Sequence, residues 1–211
     1  MSEILKVNSE LPEASRIAYA ADMVRAGQVV AVPTDTFYGL AADPFNLAAV
    51  EQIFQIKGRP GHKPLLLMVS SLEQAEELTY NLPDRFYALA RRFWPGPLTI
   101  VVEASRRVPL KITGNTGKVA LRLPKSKITV SLVREMDKAL TGTSANLTGF
   151  KECSQAGQVQ SQLGDRLPLI LDGGDSRATL PSTIVELTRD DWRILREGAI
   201  PTEEIMGFFA E

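Results

Sequence analysis

Cysteine, histidine and tryptophan are scarce in this chain: one Cys, one His and two Trp among 211 residues. The lone Cys153 cannot close an internal disulfide, and it fits a reducing compartment. The lone His62 excludes a histidine-built metal cluster and leaves a Ser-His-Asp triad resting on a single loop residue. No G-x-x-x-x-G-K-[ST] occurs, which excludes a P-loop NTPase, and no G-x-G-x-x-G follows the first apolar run, so the dinucleotide fingerprint is missing. No apolar run reaches membrane-spanning length, and Met1 to Lys6 lacks a basic-then-apolar leader. Charge of one sign is not in excess either. Lys+Arg number 24 against Asp+Glu 25, a net charge of −1. That balance argues against a protein dedicated to coating nucleic acid but leaves room for a local basic cleft. The expectation is a soluble cytoplasmic protein with no membrane contact.

What is present is ordinary globular composition, 44 % hydrophobic with 15 Gly and 13 Pro. The length is ample for one large α/β core. No linker, repeat or low-complexity tract interrupts it, so residues 1–211 are expected to form a single domain. Helical periodicity predicts helices over Pro12 to Ala26, Asn46 to Ile56 with Asn46 as N-cap, Ser71 to Leu78, Asp84 to Phe93, Thr129 to Met136, Gln155 to Leu163 and Pro201 to Phe209. Short β-branched runs predict strands at Gln28 to Val32, Leu65 to Val69, Leu98 to Val102, Val119 to Leu123, Leu140 to Thr143, Leu167 to Leu171, Thr183 to Leu187 and Trp192 to Leu195. Arg106 to Lys118 and Asp172 to Ser182 read as surface loops. Alternating elements at irregular spacing predict an α/β fold: an open, twisted mixed β-sheet with flanking helices.

The segments that carry chemistry sit at the ends of these elements. Lys57, Arg59 and Lys63 crowd three cations into seven residues beside Gly58, Pro60, Gly61 and Pro64, which suits phosphate. Thr34 to Gly39 is a hydroxyl-rich turn after a buried strand. Thr141-Gly142-Thr143-Ser144-Ala145-Asn146 offers hydroxyls, an amide and an unhindered backbone. Arg122 shares a strand face with Ala120, and an Arg in a strand is seldom buried without an anion. Thr99 follows Pro95-Gly96-Pro97, Ser182 opens another strand, and Arg196 precedes Glu197-Gly198. Separated cations and alcohols, with no nucleophile–base pair, suit positioning and charge stabilisation, as phosphoryl and nucleotidyl transfer require.

Together these segments resemble the YrdC-like family in its short, single-domain form, the TsaC-type L-threonylcarbamoyladenylate synthases, over about Val30 to Ile200. The residues are Pro33 to Leu40, Lys57-Gly58-Arg59-Pro60 with Lys63-Pro64-Leu65, Trp94 to Thr99, Leu121 to Pro124, Thr143 to Asn146 with Gly149, Ser182-Thr183 and Leu195 to Gly198. The resemblance implies a basic concave cavity and an ATP-dependent nucleotidyltransferase that makes threonylcarbamoyl-AMP and pyrophosphate from L-threonine, bicarbonate and ATP. The product feeds N6-threonylcarbamoyladenosine formation at tRNA position 37, through a threonylcarbamoyl-transferase complex, with weak tRNA or RNA binding as a companion property. It implies Thr36, Arg122 and Ser182 as the L-threonine site. It implies Lys57, Arg59, Lys63, Thr99, Ser144 and Arg196 as the ATP site, and Lys57, Arg59, Ser144 and Asn146 as the catalytic set. Mg2+ enters with ATP, and no residues read as a metal site of their own. Met68 stands where members of the family often have His, and Ser154 is the nearest match to a family serine. A module of the same fold that binds double-stranded RNA or tRNA is the alternative reading. A carbamoyl-transferring relative of hydrogenase maturation is a third, against which the short chain without acylphosphatase-like or zinc-finger segments speaks.

Overall fold

In the computed structural model, which describes residues 2–210, the amphipathic segments become helices whose ends are set by local chemistry. Helix α1 (Ala14–Arg25) buries Ile17, Ala20, Ala21 and Val24. Helix α2 (Leu47–Lys57) starts where the Asn46 side chain accepts hydrogen bonds from the Ala48 and Ala49 N–H groups, filling donors that the first turn leaves unpaired. Ser71 does the same for α3 (Leu72–Glu77). Helix α4 (Asp84–Phe93) buries Phe86, Leu89 and Ala90. The helix expected from Thr129 begins earlier, as α6 (Lys127–Met136), because Ser126 is its N-cap. Helices α7 (Ala156–Leu163) and α8 (Thr202–Ala210) lie where periodicity puts them.

The strands form two mixed sheets rather than one. The first has the order β1 (Glu3–Lys6), β9 (Leu169–Asp172), β2 (Val30–Val32), β3 (Gly39–Ala41) and β8 (Thr143–Ser144). The second has the order β11 (Trp192–Arg196), β10 (Thr183–Leu187), β5 (Leu98–Glu103), β6 (Lys118–Arg122), β4 (Leu66–Met68) and β7 (Leu140–Thr141). The division falls inside the run read as one strand from Leu140. Gly142 is the corner, with β7 on one sheet and β8 on the other. A Cβ at Gly142 would lie 2.6 Å from Met68 Cγ, so the corner closes against β4 only without a side chain.

Several elements escaped the pattern of the sequence. β1 is mostly exposed, and its parallel pairing with β9 defines it. β3 has no β-branched residue and is held between β2 and β8. Helix α5 (Leu110–Thr113), inside the expected 106–118 loop, is one turn long, too short for periodicity.

One continuous core joins the sheets. It runs from Ala31, Tyr38 and Leu40 through Ile53 and Phe54 of α2 to Leu67, Ile100, Leu121 and Val185 of the second sheet. A second cluster packs α1 and α6 on the first sheet through Ile17, Val24, Leu132, Leu169 and Leu171. Residues alternate faces along a strand. With Leu67, Ile100, Leu121 and Val185 turned to the core, Leu66, Met68, Thr99, Val101, Ala120, Arg122, Ile184 and Glu186 turn to the other face. That second face lines a cavity. Among the described residues, no helix is long and apolar enough to cross a membrane.

Candidate active site

The free face of the second sheet is the floor of a cavity of about 510 Å3. Strand register arranges it in rows. Met68 pairs with Arg122, Ile184 with Thr99 and Ile184 with Arg196, so these side chains cross the sheet side by side. The next row holds Leu66 beside Ala120, Ala120 beside Val101, Val101 beside Glu186, and Glu186 beside Arg193. The walls come from the Thr34–Tyr38 turn, Arg59, Ser144, Glu152 and the Pro181-Ser182 segment. Thr36, Arg59 and Arg196, separated by up to 160 positions in the chain, therefore face one space. Arg59, Lys118, Arg122, Arg193 and Arg196 line this space together with Glu152 and Glu186.

Arg122 is 4 % exposed; two of its nitrogens make hydrogen bonds, and the third is paired with Asp35 by charge alone. Its Nε donates to the Gly96 carbonyl at 3.0 Å, one terminal nitrogen donates to Thr36 Oγ1 at 2.8 Å, and the other lies 2.8 Å from Asp35 Oδ2. Burial by itself lowers the Arg122 pKa, and Asp35 offsets part of that loss; a guanidinium still stays charged at neutral pH. Thr36 is held from two sides. Thr34 Oγ1 donates to the Phe37 carbonyl at 2.7 Å, so it can only accept from the Thr36 N–H and hydroxyl, each at 3.0 Å. The Thr36 oxygen accepts from Arg122. Its remaining lone pair is the part free for a ligand, which makes Thr36 an acceptor for an ammonium or amine N–H.

A second polar group forms around β5 and β10. The Thr99 and Ser182 hydroxyls are 2.8 Å apart. The Arg196 guanidinium donates to the Ser182 carbonyl, at 2.8 and 3.1 Å, and to the Ser182 hydroxyl at 3.1 Å. This clasp needs Gly198, because a Cβ there would run into the backbone of Pro181, Ser182 and Thr183. Arg59 donates to the Pro64 carbonyl at 3.1 Å, while its buried Nε has no partner among the described residues. An unpaired guanidinium N–H in a cavity wall is a donor waiting for an anion.

Lys57 is placed otherwise than its loop-like setting in the sequence implies. It is the last residue of α2, 3 % exposed, and it is not part of the cavity wall. Its ammonium donates to the carbonyls of Ser144 and Asn146 and to Asn146 Oδ1, at 2.9 and 3.1 Å for the two Asn146 contacts. Burial first, then the charge of Arg59, lowers its pKa to about 8. Asn146 is likewise off the wall. Its Oδ1 accepts from the Ser144 hydroxyl at 2.6 Å, and its amide donates to the Phe150 carbonyl at 2.7 Å. Lys57 and Asn146 thus shape the loop that presents Ser144, which does face the cavity.

Lys63 and Ser154 do not line the cavity, and Lys63 is exposed. Glu152 does line it, a residue that the motifs did not point to. It makes no hydrogen bond or ion pair among the described residues, and its charge acts on Lys57 and Arg196. Glu186, Lys118 and Arg193 also line the cavity without a sequence signal. Only strand alternation from Ser182 through Ile184 could have found Glu186. Met68 is buried on the floor beside Arg122 and brings a thioether, not a hydrogen-bond donor.

The family model named for Sua5, YciO and YrdC, described as "Telomere recombination", matches residues 22–198. A threonylcarbamoyl-AMP synthase of Pyrococcus abyssi is 38 % identical over 205 residues, covering 97 % of this chain and 60 % of the relative. A threonylcarbamoyl-AMP synthase of Vibrio vulnificus is 37 % identical over 186 residues, covering 87 % of this chain and 99 % of the relative. The crystal structure of P. abyssi Sua5 complexed with L-threonine superimposes with a TM-score of 0.95 at 38 % identity, covering 100 % of this chain and 62 % of that one. The family model, the sequence relatives and the solved structure agree with the motif order and with the fold: the chain belongs to the Sua5/YciO/YrdC family.

Proposed function

We propose that this protein is an L-threonylcarbamoyladenylate synthase, a nucleotidyltransferase that makes threonylcarbamoyl-AMP and pyrophosphate from L-threonine, bicarbonate and ATP. Its product would supply the threonylcarbamoyl-transferase complex that modifies tRNA position 37. The observation that carries the reading is that one cavity holds two polar groups on neighbouring strands: Thr36 with Arg122, and Ser182 and Thr99 with Arg196. The name and the bound L-threonine of the Pyrococcus proteins support it.

Two steps follow. Bicarbonate loses hydroxide to give CO2, the neutral amine of threonine adds to its carbon to leave a carbamate, and the proton released by the amine joins the hydroxide as water. A carbamate oxygen then attacks the α-phosphorus of ATP, the bond to the β-phosphate bridging oxygen breaks, and pyrophosphate leaves. Thr36 accepts from the amine. Arg122 sets the Thr36 hydroxyl and supplies positive charge to the threonine end. Arg59, Arg196 and Ser144 face the growing negative charge on the phosphates. Preoriented donors of this kind each contribute ~2.7–4 kcal/mol to the transition state. Lys57 and Asn146 are positioning residues, through the Ser144 loop.

Mg2+ fits this wall as a companion of the triphosphate. No group of three or more His, Cys, Asp or Glu side chains forms a metal cage among the described residues. Mg2+ is commonly held by substrate phosphates, waters and one or two carboxylates, and the unpaired Glu152 is the carboxylate available. The ion would neutralise the leaving pyrophosphate.

The test is pyrophosphate release from Mg-ATP and bicarbonate with and without L-threonine. Release that depends on both threonine and bicarbonate is the expected result. Release indifferent to threonine would remove the reading.

A further inference from the structure

The far half of the cavity floor is unused by the chemistry above, and it has a distinct make-up. Beyond the Arg122–Thr99 row, the floor is an apolar platform of Leu66, Ala120 and Val101, bordered by Ile184 of that row, all partly exposed. It ends at Glu186, whose side chain is 5 % exposed. One Glu186 oxygen accepts from Lys118 at 2.6 Å and the other from Arg193 Nε. Burial by itself pushes the Glu186 carboxyl up, but the hydrogen bonds from Lys118 and Arg193 outweigh it and hold the pKa below the usual range. The result is a fixed anion at the edge of an apolar surface. Each of its oxygens keeps a further lone pair for a ligand donor.

The spacing matches a nucleotide. Ser182, clasped by Arg196, and Glu186 lie four residues apart on one face, which at the strand rise is about 13 Å. A nucleoside monophosphate extended from its phosphate to the outer edge of its base covers a span of that order. Its middle is a flat ring that fits over small and branched side chains. We propose that Glu186 is the base-reading residue of the nucleotide site: its carboxylate accepts a hydrogen bond from the exocyclic amine of a 6-aminopurine lying on Val101, Ala120 and Ile184. This rests on the proposed use of ATP and deepens it. Because Lys118 and Arg193 hold Glu186 in place and charged, a base presenting a carbonyl at that position sets one acceptor against another. A purine with neither group loses the contact.

Calorimetry on the full chain, with Mg2+ and without threonine or bicarbonate, tests this apart from catalysis. The probes are ATP, ITP, purine riboside triphosphate and inorganic tripolyphosphate. Since a well-placed polar pair with a base edge discriminates by ~1–3 kcal/mol, wild type is expected to bind ATP roughly tenfold or more tighter than ITP or purine riboside triphosphate. Glu186→Gln, whose amide can turn either way, is expected to bring ATP and ITP to near equality while L-threonine affinity stays unchanged. Ala120→Leu is expected to weaken ATP and leave tripolyphosphate unaffected. Equal binding of ATP and ITP by wild type, an unaltered preference in folded Glu186→Gln, or undiminished ATP binding by Ala120→Leu overturns the role of Glu186 and its platform. No ATP binding at all by wild type overturns the proposed function itself.

Discussion

A single residue, Arg122, holds three parts of the cavity wall at once: the Gly96 carbonyl, the Thr36 hydroxyl and the Asp35 carboxylate. Lysine retains the charge but not the planar fork. A hydrogen bond to a charged group is worth ~1.5–3 kcal/mol, so Arg122→Lys is expected to lower L-threonine affinity roughly tenfold to a hundredfold. Calorimetry on a variant with unchanged circular dichroism checks this, and unchanged affinity would remove Arg122 from the threonine site. Lys57 gives a prediction in pH. Its folded pKa of about 8 lies below the unfolded value near 10.5. Between those values the unfolded chain holds a proton that the folded chain has released, so stability rises with pH through that window and is lost as pH falls back to about 8. Relative to Lys57→Met, wild type should gain up to about 3 kcal/mol between the two pH values, read from urea midpoints. A constant difference would mean that Lys57 is not buried as a cation. At this scale the sequence was legible for Arg122, because an arginine in an apolar strand needs an anion. It was misleading for Lys57, which sits beside loop glycines yet is turned inward by the last turn of α2.

Among the elements, two glycines shape the site, and they should respond differently to substitution. At Gly142 an added Cβ meets the Met68 side chain, at 2.6 Å from Cγ and 3.0 Å from Sδ. At Gly198 it meets backbone atoms of Pro181, Ser182 and Thr183. Overpacking costs typically ~1–3 kcal/mol where side chains can shift, and more where backbone must move. Gly198→Ala is therefore expected to destabilise more than Gly142→Ala. Adding Met68→Ala should ease the crowding at Gly142 alone. Thermal melts of the two single variants and both double variants decide it; equal rescue at both sites would contradict the packing described. Most strands and helices were legible because their apolar periodicity matches the faces they bury. The division into two sheets was not, since a glycine inside a run reads the same whether the strand passes straight through or turns a corner. β3 was not legible because partners on both sides, rather than its Gly-Leu-Ala sequence, make it a strand.

For the whole molecule, the site is a consequence of the division between sheets. The corner at Gly142 sets the Thr34–Tyr38 turn and the Ser144 loop against the open face of the second sheet, and the pairing of β10 with both β5 and β11 brings Ser182 and Arg196 to the same floor. The sequence named most of the polar residues in that space through their motif order. The Glu186 end was hidden, because its meaning arises only when β5, β6, β10 and β11 lie side by side. The most direct measurement is mass-spectrometric detection of threonylcarbamoyl-AMP made from carbon-13 bicarbonate, ATP and L-threonine by wild type, Arg122→Ala and Arg196→Ala, each checked for folding. One shared cavity predicts labelled product from wild type and a loss of roughly a hundredfold or more from each variant, although the two changes lie 74 positions apart in the chain. Labelled product formed at near wild-type rate by either folded variant would contradict it.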